Sequence, residues 1–80
     1  MLDLQVVKAL IEVVMFLEFS DDQSVAPDAA VSALESIANN LQLADSETKA
    51  NIAEAMRSLA GTYSTHADFV SNLPQTLGIE

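Results

Sequence analysis

The residue types that hydrolytic chemistry requires stand together around the only histidine of the chain, His66. Ser64, Thr65 and Asp68 are its neighbours in the sequence. A catalytic triad needs its nucleophile, base and acid to converge in a pocket beside an oxyanion donor. Residues this close in sequence at the start of a helix do not converge easily. We therefore predict no catalytic residues and no enzyme, and interpret His66 as a solvent-exposed histidine in a first helical turn.

A second group with chemical potential is acidic and surrounds the first predicted loop. It consists of Glu18, Asp21, Asp22 and Asp28. A calcium loop alternates its oxygen ligands around a turn glycine, whereas here the acids are adjacent, glycine is absent and Pro27 interrupts. Two interpretations stay open: a contact surface for lysine or arginine of a protein partner, or a solvated loop whose acids favour a helix N-terminus.

The residues that zinc sites and phosphate-binding loops require are missing from the sequence. The chain has no cysteine and a single histidine, so a zinc site of thiolates and imidazoles is not expected. Gly61 and Gly78 stand alone, and no glycine-rich phosphate loop is present. We predict no metal and no cofactor.

Charge and hydropathy restrict the partners. The 80 residues include 12 acidic and 3 basic side chains, a net charge of −9, which repels nucleic acid and anionic lipid and attracts a basic partner. The charge is also explained by solubility alone. The apolar N-terminal segment contains Asp3, Lys8, Glu12 and Glu18, which are costly within a bilayer. Its features do not match a secretory signal. We predict a cytoplasmic protein that binds neither nucleic acid nor membrane.

Apolar residues at helical spacing predict an all-α fold, a small antiparallel bundle of about four helices forming a single domain over residues 1–80. The predicted helices are Leu2–Phe19, Pro27–Leu43, Ser46–Ala60 and His66–Leu73. Three local signals set their ends. Gly61 is expected to end the third helix in a left-handed cap, and Thr65 with Asp68 to form a capping box. Pro74 is expected to stop or redirect the fourth helix, with one further turn possible before Gly78.

The first helix is amphipathic only in its first half. The stripe that begins with Gln5, Lys8 and Glu12 reaches Met15, Phe16 and Phe19 further along, so the second half is apolar nearly all round. Such a helix is either central in its bundle or covered by a partner. Phe16 and Phe19 are accordingly candidates for an apolar anchor in a partner interface, with plain core packing as the alternative. Self-association through this helix, giving a homodimer, is a further alternative.

One short segment is partly similar to the acyl carrier proteins. Leu43-Ala44-Asp45-Ser46-Glu47 resembles the Asp-Ser-Leu motif whose serine carries phosphopantetheine in that family. Glu47 stands where the motif has an apolar residue, and the predicted helix Pro27–Leu43 occupies the position of the family's long loop. The carrier function is therefore a remote alternative, and Ser46 is interpreted as a first-turn serine.

The chain as a whole resembles the small acidic helical immunity proteins that are encoded beside bacterial secreted toxins. The similarity lies in the acidic loop Ser20–Asp28, the string Asp28–Glu35 and the ending Asp68–Gly78. The resemblance implies a cognate toxin, a basic protein whose active site is covered or distorted by tight binding. Our predicted function is thus an immunity-type inhibitor, and the predicted partner-binding residues are Glu18, Asp21, Asp22, Asp28, Phe16 and Phe19.

Overall fold

A computed structural model describes residues 3–80, and every regular element among these residues is helical. The order is α1 (Leu4–Phe19), α2 (Pro27–Gln42), α3 (Ser46–Leu59), a 3₁₀ segment (Ala60–His66) and α4 (Ala67–Thr76). The predicted all-α class is confirmed. The expected count of four separate helices is slightly off, because no loop divides α3 from α4: the 3₁₀ segment joins them, with a kink at Ser64, whose φ of 51° and ψ of −111° are not helical.

Side chains at both ends fix the length of α1. Asp3 is its N-cap and accepts a 2.8 Å hydrogen bond from the backbone N–H of Gln5. Ser20 ends the helix, since its backbone N–H and its hydroxyl both donate to the carbonyl of Phe16. The helix ends at the predicted residue and begins at Leu4; of the two predicted residues before it, Asp3 is the cap and Leu2 lies outside the described residues.

The next two helices begin where strong local signals place them. Pro27 occupies the first turn of α2, where its missing N–H costs nothing. Asp45 caps α3 and accepts a 2.7 Å hydrogen bond from the N–H of Thr48. Each helix ends one residue before its predicted end, so the local signals in these segments were sufficient.

The predicted left-handed cap at Gly61 is wrong. Gly61 lies inside the 3₁₀ segment, and the left-handed backbone angle in this segment belongs to Ser64, with φ of 51°. The hydroxyl of Thr62 donates a 2.7 Å hydrogen bond to the carbonyl of Leu59, the last residue of α3. This bond satisfies the carbonyl of the last residue of α3, and the chain continues in tighter turns as far as the kink at Ser64.

The predicted capping box of Thr65 and Asp68 is also wrong. Thr65 belongs to the 3₁₀ segment, and the N-cap of α4 is His66, which makes no side-chain capping bond. Pro74 does not stop the helix, because α4 continues to Thr76. The N–H of Leu77 still reaches the carbonyl of Leu73 at 2.8 Å, so one further turn is added beyond the proline.

The core is formed by α1, α3, α4 and the C-terminal tail. Its innermost side chains are nearly inaccessible to solvent, and Leu77 and Ile79 near the C-terminus are buried with them. The buried cluster consists of Val7, Ile11, Val14, Ile52, Ala55, Met56, Ala60, Val70, Leu73, Leu77 and Ile79.

The second helix differs from the others because it has no fully buried residue. Its apolar side chains Leu34, Ile37, Ala38 and Leu41 are only partly buried against the core. Its C-terminal end is fastened by a 2.9 Å hydrogen bond from Gln42 Nε2 to the carbonyl of Leu77. The rest of α2 lies over the core as an outer layer, and open grooves remain along it.

Candidate protein-interaction site

Phe19 lies at the end of α1 with half of its surface (50 %) exposed to solvent. Its ring stacks on His66 with the ring centres 4.4 Å apart, and meets the edge of Phe69 at 5.0 Å. These contacts hold one side of the ring and leave the other free. The core-packing alternative for this residue is therefore wrong: Phe19 is a fixed aromatic ring at the surface.

Phe16 is also at the surface, with 57 % of its area exposed, so plain core packing is wrong for it as well. The buried side of α1 carries Val7, Ile11 and Val14, and helical spacing places Phe16 away from that side. Glu18 follows Phe16 by two residues, which is about 200° around a helix of 3.6 residues per turn. One flat partner surface therefore cannot cover both Phe16 and Glu18, although the sequence grouped them in one site.

His66 is half-buried under Phe19, which corrects the expectation of a solvent-exposed side chain. The stacking arises because the 3₁₀ segment brings the start of α4 against the last turn of α1. Within residues 3–80, no side-chain hydrogen bond connects His66 to Ser64, Thr65 or Asp68. The histidine supports the exposed ring of Phe19 from behind.

Asp21 has a structural role in the loop between α1 and α2. Its Oδ1 accepts hydrogen bonds from the backbone N–H groups of Ser24 (2.8 Å) and Gln23 (3.1 Å). The bond from Ser24 lowers the pKa of Asp21 below its ordinary value of 3.8. The other predicted acids, Glu18, Asp22 and Asp28, are exposed. Of the four, Asp21 shapes the loop, and the other three present their carboxylates to solvent.

Two grooves run along α2, and they share Glu18 and Leu34. The first, here called the loop groove, has a volume of about 220 Å³ and lies between the end of α1 and the start of α2. Asp22 and Glu18 contribute its carboxylates, while Leu17, Val25 and Val31 contribute apolar surface. The predicted acids Glu18 and Asp22 are thus brought to one groove. Asp28 does not line it, although it lies in the first turn of α2.

The second groove, here called the inner groove, lies between α1, α2 and α4 and has a volume of about 200 Å³. It is lined by Val14, Glu18, Leu34, Glu35, Ala38, Phe69, Leu73, Thr76 and Leu77. Because Phe69 also touches Phe19, the groove adjoins the exposed aromatic ring. Sequence reasoning missed Glu35, which is not among the predicted partner-binding residues. Only the docking of α2 on α1 shows that this carboxylate shares a groove with Glu18.

The basic side chains of the described residues do not line either groove. Arg57 forms an ion pair with Glu80, and Lys49 Nζ lies 3.3 Å from the carbonyl oxygen of Gln42. The carboxylates at the grooves are therefore not neutralised by a lysine or arginine that lines them.

A separate apolar surface covers the outward side of α1. Val6 (61 % exposed), Val13 (50 %) and Phe16 follow one another at helical spacing, with Ala9 between the first two. The steps of three, four and three residues are those of a coiled-coil seam. We call this surface the α1 stripe. The sequence indicated that the second half of α1 is apolar nearly all round, and the structure shows that the uncovered apolar side also extends into the first half.

The phenol of Tyr63 lies close to Glu12 inside the contact between the 3₁₀ segment and α1. Its hydroxyl oxygen is buried, and no hydrogen bond among residues 3–80 satisfies it. Burial, followed by the charge of Glu12, raises the pKa of Tyr63 above its ordinary value of 10.0.

The remaining candidate residues show no assembled chemistry. Ser46 is exposed at the first position of α3. Among residues 3–80, no group of three or more histidine, aspartate or glutamate side chains is arranged to hold a metal ion. In the same part of the chain, no helix combines the length and apolarity needed to cross a bilayer. Comparisons of the chain with protein-family models, with curated proteins and with solved structures find no match.

Proposed function

We propose that this chain is a small acidic protein-binding module of the immunity type, which neutralises a cognate bacterial toxin by direct binding in the cytoplasm. The observation that carries the proposal is the half-exposed ring of Phe19, held by His66 and Phe69 beside a groove whose rim carries Glu18 and Glu35. Interface hot spots combine a rigid aromatic anchor with a polar surround. Loss of side-chain entropy on binding is small for a ring that is already fixed.

Charge supports a basic partner. The net charge of −9 accelerates the encounter with a positive surface. Glu18 and Asp22 lie beside the same loop groove and are exposed, so they are placed to meet lysine or arginine of a toxin. Asp28 contributes at longer range from the start of α2. The proposed contribution of Asp21 is indirect, through the loop that it shapes.

Co-expression in a bacterial host tests this function. The probe is the product of the gene that neighbours this one in its native genome. We expect that protein alone to arrest growth and this chain to restore it, with the two purifying as a complex. A neighbour that is harmless, or that stays toxic in the presence of this chain, contradicts the proposal.

The two phenylalanines provide a matched pair of variants. Phe19→Ala removes the anchor and is expected to abolish protection, whereas Phe16→Ala, one helical turn earlier and lining neither groove, is expected to leave protection intact. Both side chains are about half exposed, and thermal unfolding of each variant shows whether the fold is kept. If Phe16→Ala abolishes protection and Phe19→Ala does not, the partner binds at the α1 stripe and not at the surface around Phe19.

A second candidate function is an assembly module that self-associates through α1, and the α1 stripe favours it. Exposed apolar side chains at coiled-coil spacing lose contact with water when two helices pair. Sedimentation at micromolar concentration distinguishes the two readings: a dimer that Val13→Ser dissociates supports assembly, and a monomer excludes it under those conditions. The two functions do not exclude each other, because a protein that dimerises through α1 can also bind and neutralise a toxin.

The acyl-carrier alternative depends on Ser46 alone. The intact mass of the protein purified from its native host decides it, because a phosphopantetheine arm adds a defined mass. A mass equal to that of the sequence removes the carrier alternative.

A further inference from the structure

The inner groove combines an apolar floor with a charged rim. Val14 of α1, Ala38 of α2 and Leu73 of α4 contribute to the floor, and the rim carries Glu18 of α1 and Glu35 of α2. The two carboxylates come from different helices, and both residues are exposed. An occupant of this groove therefore needs an apolar stem and a positively charged end.

The volume limits the size of the occupant. At about 200 Å³ the groove is larger than the apolar cavity of about 150 Å³ that holds benzene. It is smaller than the pockets of about 300 Å³ or more that hold drug-sized ligands. One long side chain is the kind of group that this space accommodates.

The charges at the rim of the groove indicate which type of partner side chain binds there. None of the three basic residues of the chain lines the groove, so the rim carries two negative charges without a local cation. Lysine and arginine lay an aliphatic stem along apolar surface while the charged end stays at the edge. An acidic or neutral side chain would leave the rim carboxylates without a counter-charge.

We infer that the inner groove receives a single lysine or arginine side chain of a partner protein, with its stem on the apolar floor and its cation between Glu18 and Glu35. The inference rests on the proposed function, because it names the group by which the partner docks beside Phe19. The contact between Phe69 and Phe19 joins the groove to the aromatic anchor, so one partner segment reaches both.

A binding titration with a defined probe tests the inference. The probe is a helical peptide of leucine, alanine and lysine, and its reference is the same peptide with glutamine in place of lysine. We expect the lysine peptide to bind and to shift the amide resonances of Leu34, Ala38 and Thr76, which line the groove. The glutamine peptide is expected to leave these resonances unchanged.

Charge-matched variants separate the groove from the general attraction of an acidic protein. Glu18→Gln with Glu35→Gln is expected to weaken peptide binding about tenfold or more, since charge-assisted hydrogen bonds are lost. Glu47→Gln with Glu54→Gln removes the same charge from exposed positions of α3 and is expected to weaken it less than about twofold. Equal weakening by both double variants overturns the inference.

A third variant tests the space above the groove floor rather than the charge at the rim. Ala38→Leu fills part of the floor and leaves the net charge at −9, and we expect it to weaken binding of the lysine peptide. Undiminished binding by a folded Ala38→Leu protein overturns the placement of the stem.

The toxin assay separates failure of this inference from failure of the proposed function. If Glu18→Gln with Glu35→Gln binds and neutralises the toxin as well as the wild type, the groove assignment is wrong and the function stands. If the lysine peptide occupies the groove and the neighbouring gene product is neither bound nor neutralised, the groove assignment stands and the immunity function is wrong.

Discussion

Replacing Gly78 with alanine perturbs the point at which the end of α2 is fastened to the core. Gly78 has φ of +74°, a left-handed conformation that costs a residue with a Cβ about 1–2 kcal/mol. A Cβ at this position would overlap Nε2 of Gln42 and lie 3.2 Å from its Cδ. The Gln42 side chain is flexible and moves aside, but it then loses its 2.9 Å hydrogen bond to the carbonyl of Leu77.

The two costs add up to a measurable loss of stability. A hydrogen bond of this kind contributes about 0.5–1.5 kcal/mol, so with the backbone strain we expect Gly78→Ala to lower the free energy of unfolding by about 2–3 kcal/mol. For a domain of this size, each kcal/mol shifts the Tm by about 4–8 °C, so the Tm should fall by roughly 10–20 °C. Thermal and urea unfolding followed by far-ultraviolet circular dichroism measure both quantities.

Two comparisons make this reasoning refutable. A Cβ added at Gly61 meets no atom within 4 Å, so Gly61→Ala should leave stability unchanged or slightly raised. In a Gln42→Ala background the hydrogen bond is already absent, so Gly78→Ala should cost only the strain, giving a coupling of about 1 kcal/mol. An equal cost of Gly78→Ala in both backgrounds, or an equal loss from Gly61→Ala, would refute the argument.

Three further predictions concern the core, the acid sensitivity and the buried phenol. Met56 is fully buried, so Met56→Ala should lower the free energy of unfolding by about 2–5 kcal/mol, seen as a lower urea midpoint, while Leu43→Ala at an exposed position should change it little. Hydrogen bonds from the backbone of Ser24 and Thr48 hold the pKa values of Asp21 and Asp45 below 3.8 in the folded state. Their stabilising effect is present above the unfolded pKa near 3.9 and is lost as pH falls through the folded values. The urea midpoint of the wild type should therefore decrease as the pH is lowered through this range, and the decrease should be less steep when both residues are replaced by asparagine. Spectrophotometric titration should place the pKa of Tyr63 above 10.0 and find it lower in Glu12→Gln; an unchanged value would leave burial as the sole cause.

Local signals in the sequence predict the helices well wherever one residue decides a helix end. Pro27 at the first turn of α2 and Asp45 at the cap of α3 act through their own backbone geometry and side chain, so no distant contact is needed to place them. Prediction failed where neighbouring signals compete. Thr62 satisfies the carbonyl of Leu59, and the connection at Gly61 and Thr65 became a 3₁₀ segment in place of a loop and a capping box.

The candidate site was predictable only in part. Charge and residue type identified Glu18 and Asp22 as exposed acids, but the hydrogen bonds that tie Asp21 into its turn depend on the loop conformation. The contact of Phe19, and not of Phe16, with His66 and Phe69 depends on where the 3₁₀ segment and α4 pack against α1. Glu35 joins the site only because α2 rests on α1, and that packing has no signature in a single sequence.

Because α2 packs only shallowly on the core, the stability of the molecule depends little on which residues its outer face presents. Because no side chain of α2 is fully buried, substitutions along its exposed positions remove little packing energy. Substitutions along α2 therefore change one wall of each groove while the interior packing of α1, α3 and α4 is preserved. The same looseness should make its amide protons exchange with deuterium before those of α3, through openings that leave the remainder folded.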